Sequence, residues 1–77
     1  MSAEVRELRR RLETVEARVH EMEARLAEIA AALADPALYA DGERARTVVH
    51  QQKAAEEQLA WLMREWEEIS TELAAHE

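Results

Sequence analysis

One spacing rule governs almost the whole chain. Apolar side chains fall at Val5, Leu8, Leu12, Val15, Val19, Met22, Leu26, Ile29 and Leu33, at intervals that alternate three and four without a miss. The alternation resumes through Ala45, Val48, Gln52, Ala55, Leu59, Leu62, Trp66, Ile69 and Leu73, with Gln52 the one polar occupant. A repeat of 3.5 residues keeps one stripe of an α-helix facing a partner, and each run holds it for about four heptads, enough to define a coiled coil. The supercoil should be left-handed, because the repeat falls short of 3.6 residues per turn. Between the runs lies Leu33-Ala34-Asp35-Pro36-Ala37-Leu38-Tyr39-Ala40-Asp41-Gly42, which holds the only proline, glycine and tyrosine of the chain.

Charges predict how the two runs pair. With Val5 and Ala45 as a positions, the g positions are Arg11, Arg18, Arg25 and Ala32 on the first helix, and Gln51, Gln58, Glu65 and Glu72 on the second. In an antiparallel pair g faces g. The register that sets Arg11 against Glu72 also sets Arg18 against Glu65 and Arg25 against Gln58. It layers Leu12 with Ile69, Val15 with Trp66, Val19 with Leu62, Met22 with Leu59, Leu26 with Ala55 and Leu33 with Val48, and leaves Gln52 opposite Ile29 as a polar break that fixes register. Its midpoint falls between Ala40 and Asp41, inside the punctuated stretch. The expected fold is therefore all-α: a two-helix antiparallel coiled-coil hairpin in one domain over residues 1–77. The first helix is expected over about 3–34, the bend over about 35–41 and the second helix over about 42–75.

The bend should be structured. Asp35 can cap a short helical turn whose first residue is Pro36, and Asp41 can cap the second helix with Gly42 just inside it. Leu38 and Tyr39 are expected to cover the end of the seam beyond Leu33 and Val48.

Composition excludes several functions. The chain has 77 residues and no cysteine, so it offers neither a disulfide framework nor a thiolate ligand or nucleophile. His20, His50 and His76 stand far apart, and no pair has the i, i+4 spacing of a metal site. Carboxylates occupy solvent-facing heptad positions, where a two-helix hairpin has no pocket to shift their pKa values, so no catalytic residue is expected. No apolar run approaches a membrane span, and the start, Met-Ser-Ala-Glu-Val-Arg, lacks the apolar core of a signal peptide. A cytoplasmic location follows by default. The formal charge of −7 disfavours strong non-specific attraction to nucleic acid or anionic lipid.

The residues Leu33 to Tyr39, "LADPALY", followed about 25 residues later by "REWEEI", resemble the C-terminal coiled-coil domain of ABC-F ATPases, the Uup-type extension. That family tends to show a Leu-Ala-Asp-Pro-x-Leu-Tyr bend and a Trp-Glu-Glu-Leu stretch on the returning helix; here Ile69 stands in place of the leucine. The resemblance runs from about residue 5 to 73. It implies a non-catalytic arm that follows two tandem ATP-binding cassettes, with ATP and magnesium held by those cassettes and no cofactor in this domain. This chain holds no Gly-x-x-x-x-Gly-Lys-Ser/Thr loop for phosphates. The resemblance also implies a soluble protein without membrane spans, action on ribosomes, and a hairpin linked to nucleic-acid binding, whether DNA, ribosomal RNA or tRNA. The C-terminal arm of valyl-tRNA synthetase is likewise a helical hairpin that touches RNA, though the Asp-Pro-x-Leu-Tyr bend fits it less well.

Two basic clusters exist. Arg6, Arg9, Arg10 and Arg11 gather at the open end, where the hairpin brings Glu65, Glu67, Glu68 and Glu72 alongside and makes a solvated face of them. Arg46, His50 and Lys53 follow i, i+4, i+7 spacing near the tip, with Arg44 beside them and fewer local acids, chiefly Glu43, Asp35 and Asp41. Arg44, Arg46, His50 and Lys53 are the candidate nucleic-acid-binding residues, since a basic stripe on a helix suits phosphate contacts. Trp66 belongs to the core. Trp61 falls at a c position, off the seam, as do Met63 and Val49 at e positions. These mark either a contact surface or, for Trp61, a ring lying on its own hairpin under the stem of Arg64 or Arg18. Two functions follow. One is a recognition arm touching nucleic acid. The other is a purely structural module that packs on its own cassettes or self-associates, as a monomer or weak homodimer.

Overall fold

The computed structural model describes residues 2–76. Helix α1 spans Ala3–Ala34, a 3-10 helix spans Pro36–Ala40, and helix α2 spans Gly42–Ala75. The two long helices lie antiparallel along each other, and the molecule measures 57 × 14 × 13 Å.

Each terminus has a chemical cause. Ser2 caps α1: its hydroxyl oxygen accepts the Val5 N–H at 3.1 Å, satisfying one of the donors that a helix start leaves without an intrahelical partner. Pro36 is the first residue of the 3-10 helix, where its missing N–H costs nothing. Asp35 works in both directions there. Its backbone N–H donates to the Ala32 carbonyl at 3.2 Å, closing α1, while its carboxylate accepts the Ala37 N–H at 3.0 Å, opening the next turn. Asp41 repeats the device: its N–H donates to the Leu38 carbonyl and its carboxylate accepts the Arg44 N–H at 3.1 Å. Two aspartates, each closing one helix and capping the next, turn the chain through the hairpin with no positive φ among the described residues.

The seam has the expected phase. All the a and d positions of both runs are buried or half-buried. Off the seam, among the described residues, only Ala32, Leu38, Glu65 and Ser70 are buried or half-buried. Toward the open end, Leu8, Val15, Ile69 and Leu73 form a buried cluster with Val5, Leu12, Val19 and Trp66 packed on it. Toward the tip the buried residues are Ile29, Leu38, Ala55 and Leu62. Gln52 is half-buried beside them, a polar side chain that keeps contact with water.

The bend departs from expectation in one respect. Leu38 is buried and plugs the end of the seam, but the Tyr39 ring is 58% exposed. Successive residues of a 3-10 helix point about 120° apart, so neighbouring side chains cannot both enter the seam. Tyr39 instead sends its hydroxyl back to the Leu33 carbonyl, which accepts it at 2.6 Å. That carbonyl is one of those a helix C-terminus leaves without an intrahelical partner.

Candidate nucleic-acid interface

Arg46, His50 and Lys53 lie on one outward stripe of the first turns of α2, and all three are exposed. Spacing of four and three residues stacks them on one side of the helix. Arg46 lies back over the first turn: a methyl group placed on Gly42 would stand 3.4 Å from Arg46 Nη1. Helical side chains lean this way, toward the N-terminus. Among the described residues no ion pair within 4.0 Å engages Arg46, His50 or Lys53. Arg46 and Lys53 carry their charge into solvent on this stripe, where an incoming anion can reach it.

Arg44 is not part of that stripe. Two residues from Arg46, it points about 200° away around the helix. It lines a groove with Ala32, Asp35, Leu38 and Asp41 on the opposite flank of the tip. Proximity in sequence groups it with the stripe; heptad phase, g against b, separates it. The two aspartates that build the bend also offset its charge.

The open-end arginines sit among acids, as their neighbours dictate. Arg10 pairs with Glu7, and Arg11 shares a groove with Glu4, Glu7, Glu72 and His76. His76 Nε2 stands 3.7 Å from Glu4 Oε2, joining the two helix ends. This contact was not foreseen; only the register, run out to the termini, brings residues 4 and 76 together.

The facing g rows lie as the register requires but do not close. Arg11 and Glu72 flank one groove and Arg18 and Glu65 another, yet no ion pair within 4.0 Å joins them among the described residues. Exposed pairs gain at most about 1 kcal/mol on contact, which the lost freedom of two long side chains readily offsets.

The tryptophans differ. Trp66 packs on the core cluster, half-buried, and its indole N–H donates to Glu16 Oε2 at 3.3 Å across the seam. An aromatic with a polar handle fits a seam edge where one side is apolar and the other wet. Glu16 was not singled out by the sequence; an e position beside an aromatic a position is the only hint. Trp61 is 61% exposed, with the Arg64 guanidinium 5.9 Å from its ring centroid. Met63 does not adjoin it. Met63 faces the other flank, in a small groove of about 170 Å³ with Glu16, Val19, His20 and Trp66. Val49, two heptads before it, shares that flank, so the exposed apolar residues do not form a single patch.

Among the described residues no three His, Cys, Asp or Glu side chains converge as a metal site, and no helix is long and apolar enough to cross a membrane. The described residues form a narrow two-helix hairpin with a capped bend and solvated charge on every flank. A family model described as the ABC transporter C-terminal domain matches residues 4–71, and the chain belongs to that family. No curated protein and no solved structure matches it.

Proposed function

We propose that the chain is the recognition arm of an ABC-F ATPase of the Uup type, and that it contacts nucleic acid through Arg46, His50 and Lys53, with Arg44, on the opposite flank of the tip, contributing less. As a family member it is a non-catalytic accessory module of an ABC protein. ATP and magnesium belong to the cassettes of such a protein, and its place of work is the cytoplasm, on DNA or on ribosomal RNA or tRNA. The observation that carries the reading is the exposed tip stripe, whose charges are not engaged by neighbouring acids among the described residues. A hairpin 57 Å long sets that stripe at the far end of a stiff lever. Such a surface suits phosphates; it holds no array for reading base edges, so recognition is of backbone and shape.

The test is a titration of labelled duplex DNA and of an RNA hairpin at low and moderate salt. The wild-type chain should bind with a steep loss as salt rises, and the double variant Arg46→Glu, Lys53→Glu should lose binding with its helicity intact. Absence of salt-sensitive binding by the wild type, even in dilute buffer, overturns the reading and leaves a structural module that packs on its own cassettes.

A further inference from the structure

We propose that the small groove between Glu16 and Met63 takes a basic side chain of a partner protein, and that the flank around it holds the rest of a basic, partly apolar segment. The proposal stands apart from the nucleic-acid reading. Arg46, His50 and Lys53 do not line this groove, and Met63 lies ten residues, or ~15 Å of helix, beyond Lys53.

The groove is apolar with one charged wall. It encloses about 170 Å³ between Glu16, Val19, His20, Met63 and Trp66. Val19 and Trp66 are half-buried residues of the seam, and Met63 is left 39% exposed beside them. Glu16 Oε2 accepts the Trp66 indole N–H at 3.3 Å, which holds the carboxylate at the edge of the ring and leaves Oε1 to a second donor. An aromatic ring, a thioether and a positioned carboxylate together suit a guanidinium or ammonium on its alkyl stem: ring and sulfur pack the stem, and the carboxylate meets the charge. The volume lies below the ~300–1,000 Å³ of a small-molecule pocket and admits one side chain.

Charge selects the occupant. The flank consists of the b and e positions of both helices. Between Arg9 on α1 and Lys53 on α2, these positions hold Glu13, Glu16, Glu23, Glu56 and Glu67, with His20 and no lysine or arginine. Arg64, next to Met63 in sequence, turns outward, its guanidinium 5.9 Å from the Trp61 ring centroid. The five acids are exposed. Glu23 meets His20 Nδ1 at 3.5 Å, and no ion pair within 4.0 Å engages the other four among the described residues. The register that sets Glu16 beside Met63 also sets Glu23 beside Glu56, two like charges that a cation between them would relieve. On α1 alone the acids span ten residues, or ~15 Å, so the occupant presents several cations in a row. A free polyamine would answer the charge and leave Met63 and Val19 uncovered; a protein segment with apolar residues among its cations answers both.

The test is a fluorescence titration in a Trp61→Phe background, where Trp66 is the only tryptophan and reports from the groove wall. The probe is a synthetic peptide with arginines along one face of a helix and leucines beside them. A second peptide replaces its leucines with serine, and spermine supplies charge alone. The leucine peptide should bind and shift the Trp66 emission, and the serine peptide should bind about tenfold more weakly. Glu16→Gln keeps an oxygen for the indole N–H and removes only the charge; it should weaken binding by about tenfold. Met63→Lys, which sets a cation at the groove, should do the same. Glu21→Gln with Glu28→Gln removes two acids from the opposite flank and should weaken binding by less than about twofold. Circular dichroism checks that the variants remain helical; if Met63→Lys unfolds, Glu16→Gln with Glu56→Gln carries the test. Four results would each overturn the proposal: no binding of the leucine peptide, undiminished binding by Glu16→Gln, an equal loss from the opposite-flank pair, or spermine or the serine peptide binding as tightly as the leucine peptide.

Discussion

The hydroxyl of Tyr39 donates a 2.6 Å hydrogen bond to the backbone carbonyl of Leu33, six residues back across the bend. A side chain outside the seam thus ties the end of α1 to the 3-10 helix, while its neighbour Leu38 fills the seam itself. Removing only the hydroxyl isolates that tie. Tyr39→Phe should lower stability by about 0.5–1.5 kcal/mol, the net value of one hydrogen bond. For a domain of this size that is a fall of roughly 4–8 °C in Tm per kcal/mol, read by thermal denaturation. Helicity at low temperature should be unchanged. An unaltered Tm means that water replaces the bond without loss.

The tryptophans should separate by stability. Trp66→Ala removes an aromatic from the core cluster together with the Glu16 hydrogen bond. Full burial would make the loss about 3–5 kcal/mol; half-burial brings it to about 2–4 kcal/mol. A core this small supplies only about 3–5 kcal/mol in total, so the variant should be largely unfolded at 37 °C. Trp61→Ala should cost under about 0.5 kcal/mol, as surface substitutions do. Urea melts of the two variants check the ordering; equal midpoints contradict it.

At the start of α2 the two neighbours Asp41 and Gly42 should respond in opposite directions. Asp41→Ala deletes the carboxylate that accepts the Arg44 N–H and should cost about 1 kcal/mol. Gly42 has no positive φ, and a methyl there would meet only the flexible end of Arg46, at 3.4 Å. Gly42→Ala should therefore stabilise the hairpin by about 0.4–1 kcal/mol, mainly by restricting the unfolded chain. A destabilised Gly42→Ala variant would show that the Arg46 side chain cannot yield.

Nucleic-acid binding should divide Arg44 from its neighbours. Each phosphate contact contributes about −0.9 to the slope of log K against log salt on duplex DNA. Arg46→Gln with Lys53→Gln should thus flatten the slope by about 2. Arg44→Gln should change it by less than one such step, because Arg44 lies on the opposite flank among Asp35 and Asp41. Equal effects from the two substitutions would place the bound nucleic acid across the tip rather than along the stripe.

The fold was legible from spacing because a coiled-coil seam is a collective property. Nine positions in one phase on each helix, Val5 to Leu33 and Ala45 to Leu73, leave each helix no other face to bury, and these a and d residues are all buried or half-buried. The bend was legible too, since Asp35-Pro36 and Asp41-Gly42 are cap chemistry that acts over one turn of chain. Heptad phase also set Trp66 inward and Trp61 outward. What sequence could not decide were the choices between neighbours of similar type. That Leu38 rather than Tyr39 enters the seam follows from the phase of a five-residue 3-10 helix. That the indole of Trp66 finds Glu16, or that Arg18 and Glu65 flank a groove without closing, depends on which rotamer each side chain takes. Those alternatives differ by about 1 kcal/mol or less in water, far below the cumulative burial that sets the seam, so periodicity carries no record of them and only the packed hairpin selects among them.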